Sequence, residues 1–215
     1  MSSEGNSYIE MSNITNKIDL LITGVGGQGV VLASAIIGET ALSAGFDVKK
    51  TDTLGMAQRG GSVVSHVRIA KKVWSPLIKE GEVDLILAFE KLEAARWSHY
   101  LRPGGVAIIN NYEQPPQSVS LGQEEYPNHK AIAESLKRRT DKIYFIDATE
   151  GAIKLGNVRT LNILMLGCFS IFAPIDMNVW KESISQRIPV NIRDINLAAF
   201  DAGRKEIEGV RIRKS

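Results

Sequence analysis

The sequence predicts a Rossmann-like three-layer α/β fold: a mostly parallel sheet between helices, with a helical C-terminal third. Three observations carry this. Between residues 18 and 146, short apolar runs alternate with helical patterns, the order that builds a sheet covered on both faces. The run Val83-Asp84-Leu85-Ile86-Leu87-Ala88-Phe89 is nearly all apolar, as befits a strand buried on both sides. After Asp147 the pattern is helical to the end, broken at Pro174 and Pro189.

Residues 18–23 read as the first strand and 30–44 as the first helix, stopped by Gly45, where a left-handed cap costs glycine little. Residues 46–51 form the second strand. If the first two strands are parallel neighbours, the loops that follow them share one rim of the sheet, the rim where such folds bind ligands. Residues 62–70 alternate as a half-exposed strand would, and Lys71-Lys72 turns the chain into a short strand at Val73-Trp74. A helix over 91–100 follows the buried run. Pro103-Gly104-Gly105 then leads into a buried strand over 106–109. Residues 111–128, with Pro115, Pro116, Gly122 and Pro127, read as a surface loop. A helix over 131–139 and a strand over 143–146 complete the alternating part.

A chain of 215 residues with 44% hydrophobic content buries one substantial core. The expected organisation is a disordered tail over 1–16, one domain over 17–209 and a basic tail over 210–215. A net charge of +2 gives no broad basic surface for nucleic acid. Residues 161–173 are the most apolar segment but fall short of the ~18 residues of a membrane span, so a buried helix is expected there. The single cysteine, Cys168, forms no internal disulfide and by itself holds neither a cluster nor a structural zinc, which fits a reducing cytoplasm.

The informative motif is Gly24-Val25-Gly26-Gly27-Gln28-Gly29-Val30. Gly24, Gly26 and Gly29 fill the three places of the dinucleotide fingerprint, between a strand and a helix. Glycines let the backbone approach a ligand while the helix aims unpaired N–H groups at it. A turn kept for strand–helix packing would use the same residues, and both readings stand. A second glycine-bounded loop, 54–61, carries Arg59 beside Gln58 and Gly60-Gly61. Its planar guanidinium suits carboxylate or phosphate, or pairs with an acid in a surface turn. The acidic residue expected roughly 20 positions after the glycines is not cleanly placed: Asp47 falls at the start of the second strand and Asp52 just past its end.

His66, His99 and His129 lack metal-ligand spacing, and no metal site is expected. Trp74, Trp97 and Trp180 read as core or interface residues. No nucleophile, base and oxyanion site assembles from these residues, which suits a chain that binds and positions.

The glycine motif, together with Gly55-Met56-Ala57-Gln58-Arg59-Gly60-Gly61-Ser62 and Gly156-Asn157-Val158-Arg159-Thr160-Leu161-Asn162, resembles one family. It is the gamma-type subunit, or catalytic domain III, of the 2-oxoacid:ferredoxin oxidoreductases. Residues 58–68 are most similar to the beta subunit of indolepyruvate:ferredoxin oxidoreductase. Asn196-Leu197-Ala198-Ala199-Phe200-Asp201-Ala202-Gly203 fits the family's closing helix.

The resemblance implies a cytoplasmic complex that converts a 2-oxoacid and coenzyme A to acyl-CoA, carbon dioxide and reduced ferredoxin. Thiamine diphosphate and 4Fe-4S clusters would sit on a larger partner subunit, which also meets ferredoxin. It further implies cofactor contacts at Gly24, Gly26, Gly27, Gln28, Gly29, Gly60, Gly61 and Asn157, with Gln58 and Arg59 closing the active site. A free-standing dinucleotide-binding oxidoreductase and a nucleotide-binding module are the alternatives.

Overall fold

The computed structural model describes residues 17–54 and 60–214. Its central strand, β1 (Lys17–Val25), is buried from Ile18 onward, because apolar side chains leave it on both faces. The elements that follow are α1 (Val30–Ser43), β2 (Asp47–Leu54), β3 (Ser62–Ala70), β4 (Val83–Ala88), α2 (Lys91–Arg96), β5 (Leu101–Asn110), a one-turn α3 (Gln117–Ser120), α4 (His129–Lys137) and β6 (Ile143–Ile146). Then come α5 (Ala148–Lys154), α6 (Leu161–Ser170), α7 (Met177–Arg187) and α8 (Arg193–Lys214). The expected helix over 91–100 is therefore α2 followed by a 3-10 turn, Ser98–Tyr100.

The strands lie in the order β2-β3-β1-β4-β5-β6. β1, β4, β5 and β6 pair in parallel, while β3 runs antiparallel to both β1 and β2. The mostly parallel sheet is as expected, but β1 and β2 are not neighbours. The chain returns from β2 as a hairpin, and β3 takes the slot between them. Nor is β3 half-exposed: Val63, Val64, Ser65, His66 and Val67 are all buried. Its polar residues are satisfied inside, with Ser65 donating to Asp52 (2.6 Å) and His66 Nδ1 accepting from the Ile78 N–H (3.4 Å). Satisfied buried polar groups imitate the alternation of a solvated strand. Because β2 and β1 point the same way, the expected consequence survives: the loops after them leave from one rim.

Other expectations need correction. The segment after β3 does not fold back as a strand; the Val73 N–H instead donates to Asp47 (2.9 Å), and Trp74 is 87% exposed. β5 starts earlier than expected, with Pro103-Gly104-Gly105 bulged out between the Val83–Leu101 and Leu85–Val106 pairs.

Strand alternation sorts the core into two layers. Leu20, Ile22, Leu85 and Leu87 pack under α1 and α5 to α8, with Ile36, Phe169, Trp180 and Phe200. Leu21, Ile86 and Ile109 pack on the other face with Ala94 of α2 and Ile132 and Leu136 of α4. Every residue of α6 is buried, which accounts for its composition. No helix among the described residues is long and apolar enough to cross a membrane. The closing helix runs to Lys214, through most of the segment set apart as a basic tail. The 1–16 segment lies outside the described residues.

Candidate functional site

The carboxyl ends of β1 and β2 and the start of β3 meet at one rim, and β1 feeds the glycine loop there. Gly24 is still part of β1, opposite Val63. A methyl on it would lie 2.8 Å from Gln28 Oε1 and 2.9 Å from Phe89 and Val30, so this glycine serves close packing. Gly26 donates to the Gly61 carbonyl (2.9 Å), tying the first loop to the end of the second. Gln28 turns back on the loop: its N–H donates to the Val25 carbonyl (3.1 Å) and its Oε1 accepts the Val25 N–H (2.8 Å). The amides of Gly26 and Gln28, expected to hold phosphate, are thus engaged in shaping the turn.

Gly27 and Gly29 differ. Their φ values are 104° and 86°, a region that L side chains rarely adopt, and nothing lies within 4 Å of a methyl built on Gly27. Gly29 caps α1, whose first turn carries amides with no intrahelical acceptor and the positive end of the helix dipole. A methyl on Gly29 would meet Asn162 Cβ and Nδ2 at 3.1 Å. The third motif therefore reaches the rim through Asn162, 6% exposed at the start of α6, rather than through Asn157. Asn157 is occupied as a cap, its Oδ1 accepting from the Arg159 N–H (3.0 Å). Gly60 (φ 78°) is exposed at the edge of the second loop. Gln58 and Arg59 lie outside the described residues.

Neither acidic candidate presents itself to a ribose. Asp47 sits at the far end of β2, bonded to Val73. Asp52 accepts from Lys50 on Oδ2 (2.7 Å) and from Ser65 (2.6 Å) and Ser34 (3.3 Å) on Oδ1. Burial pushes its carboxyl up, but Lys50 and the two hydroxyls outweigh that and hold it below the usual range.

Beneath the rim lie two carboxylates outside the expected set of site residues. Glu90 caps α2, its Oε2 accepting the Glu93 N–H (2.8 Å), while its Oε1 accepts from Gln114 N–H (3.2 Å) and the Tyr126 hydroxyl. Burial, together with that carboxylate, pushes the Tyr126 hydroxyl well above its ordinary value. Glu93 accepts from Ser62 Oγ at 2.5 Å. The signal was legible: two acids three apart, directly after a buried strand, where unpaired charge is too costly to bury. Gln114 also accepts from Gln28 Nε2 (3.4 Å), so the 111–128 segment adjoins the glycine loop.

Among known proteins, the model of the family "Pyruvate ferredoxin/flavodoxin oxidoreductase" matches residues 19–206. The chain belongs to this family. It is 37% identical over 190 residues to the indolepyruvate oxidoreductase subunit IorB of Pyrococcus horikoshii, covering 87% of this chain and 94% of the relative. The likeness to a gamma-type chain, and to the indolepyruvate kind within it, holds.

In fold, it matches the keto/oxoacid ferredoxin oxidoreductase gamma subunit of Geobacter sulfurreducens with a TM-score of 0.66 at 21% identity, covering 89% of this chain and 99% of that one. It also matches the 2-oxoglutarate:ferredoxin oxidoreductase of Magnetococcus marinus, described with 2-oxoglutarate, coenzyme A and succinyl-CoA bound. There the TM-score is 0.70 at 20% identity, covering 90% of this chain and 31% of that larger one.

Proposed function

We propose that this chain is the non-redox subunit of a cytoplasmic 2-oxoacid:ferredoxin oxidoreductase acting on indolepyruvate or a related aryl pyruvate. The reaction is oxidative decarboxylation: the 2-oxoacid and coenzyme A give acyl-CoA and carbon dioxide, and two electrons pass to ferredoxin. Thiamine diphosphate and 4Fe-4S clusters belong to a larger partner subunit and supply the carbanion and electron chemistry. This chain's residues do not fit a cluster. Its sole thiol, Cys168, is buried against the Gly203 carbonyl (3.2 Å), and burial pushes it far from thiolate.

What the chain contributes is a rim. The observation that carries this reading is the convergence of the 24–29 loop, Gly60-Gly61 and the start of α6 on one lip, with α1 aimed at it. In this reading Gly27, Gly29 and the first turn of α1 hold a phosphate of coenzyme A, and Gln58 and Arg59 close the site over the partner's reaction centre. The occupied Asp52 disfavours a free-standing dinucleotide enzyme.

Purified alone, the chain should be inactive and colourless. Mixed with the larger subunit, it should restore indolepyruvate- and coenzyme A-dependent reduction of methyl viologen, and continued silence in that assay overturns the proposal.

A further inference from the structure

We propose that Glu93 is a positioning residue for the glycine loop, an inference that rests on the functional reading above. Glu93 is 4% exposed under the rim, on the first turn of α2. Its Oε2 accepts the Ser62 hydroxyl at 2.5 Å and lies 3.5 Å from Thr23 Oγ1. Arg96 balances its charge at 3.3 Å from Oε1, and Trp97 Nε1 reaches the same Ser62 hydroxyl at 3.5 Å.

Ser62 follows Gly61, whose carbonyl receives the Gly26 N–H. The strut therefore runs from the α2 carboxylate through Ser62 and Gly61 to the ligand loop. Glu90 braces its base by accepting the Glu93 N–H. Charged acceptors make the stronger hydrogen bonds, and a buried one has no water to take its place. A loop of glycines has little stiffness of its own, so beyond the Gln28–Val25 bonds within it, its shape depends on this neighbour.

A group that fixes the shape of a binding loop acts equally on ground and transition states. Its loss raises KM and spares kcat. The experiment uses the assembled complex carrying Ser62→Ala, Glu93→Ala or Glu93→Gln, with amide hydrogen exchange of the 24–30 segment as a readout independent of activity. Ser62→Ala and Glu93→Ala should each speed exchange there while leaving α8 unchanged. Each should raise KM for coenzyme A about five- to tenfold, the net worth of one ordinary hydrogen bond, with kcat within about twofold. Glu93→Gln, which keeps an acceptor for Ser62, should recover most of both.

Unaltered exchange or unaltered KM in Ser62→Ala, a variant that leaves no charge unpaired, overturns the inference even if Glu93→Ala fails to fold. A wild-type complex indifferent to coenzyme A would instead sink the functional reading, and the exchange data would still judge the strut.

Discussion

Two glycine-dependent regions of this molecule use the same residue for opposite ends. Where α6 crosses α8, glycine removes space. A methyl on Gly203 would lie 1.9 Å from the Leu164 carbonyl oxygen, and one on Gly167 would lie 2.1 Å from that of Phe200. The helices touch backbone to backbone. At the rim, Gly27 faces open space and is needed for its backbone angle alone. The helix crossing is where the fold is held, whereas the rim is where it stays able to receive something.

The largest effect expected is therefore at the crossing. Gly203→Ala should force α6 and α8 apart and cost about 3 kcal/mol or more, lowering Tm by roughly 6–12 °C in a thermal melt. A melt within a degree or two of wild type would break the comparison.

Gly29→Ala sits between the two cases, with a φ of 86° and Asn162 at 3.1 Å. It should cost about 1–2 kcal/mol in denaturant titration and weaken coenzyme A binding as well. Gly27→Ala meets no neighbour, so its cost should stay near 1 kcal/mol, with the larger change in KM for coenzyme A. Equal stability losses at Gly27 and Gly203 would erase the distinction between the regions.

The smallest effect concerns pH. His66 is 4% exposed, and burial holds its imidazole below the ordinary value. Between that lowered value and about 6.5, the unfolded chain takes up a proton that the folded chain does not. The contribution of His66 is thus fully present above about pH 6.5 and declines as pH falls below it. Replacing it with Gln should flatten this part of the stability–pH curve, by under about 1 kcal/mol at pH 6. A steepened curve would show that the ring is protonated in the folded protein.

Much of this was legible in the residues. The fingerprint glycines marked a strand-to-helix turn, Gly45 ended α1 with a φ of 87°, and the apolar 161–173 segment contains the buried helix α6. The slot taken by β3 was not legible, because Ser65 and His66 look like solvent-facing residues until their partners are known. The same limit applied at the site. Gln28, read as a ligand contact, also holds Val25 through its Oε1, and Asn157 caps a turn while Asn162 lies beside Gly29.

Local chemistry is what the sequence determined alone: periodicity, caps, glycine turns and family membership all depend on residues close along the chain. Tertiary structure decided which polar groups were already satisfied, since hydrogen bonds such as Glu93 to Ser62 and Asp52 to Ser65 join residues far apart in sequence. A donor's availability depends on what packs beside it. In a sheet that is set by strand order, which local propensity does not encode.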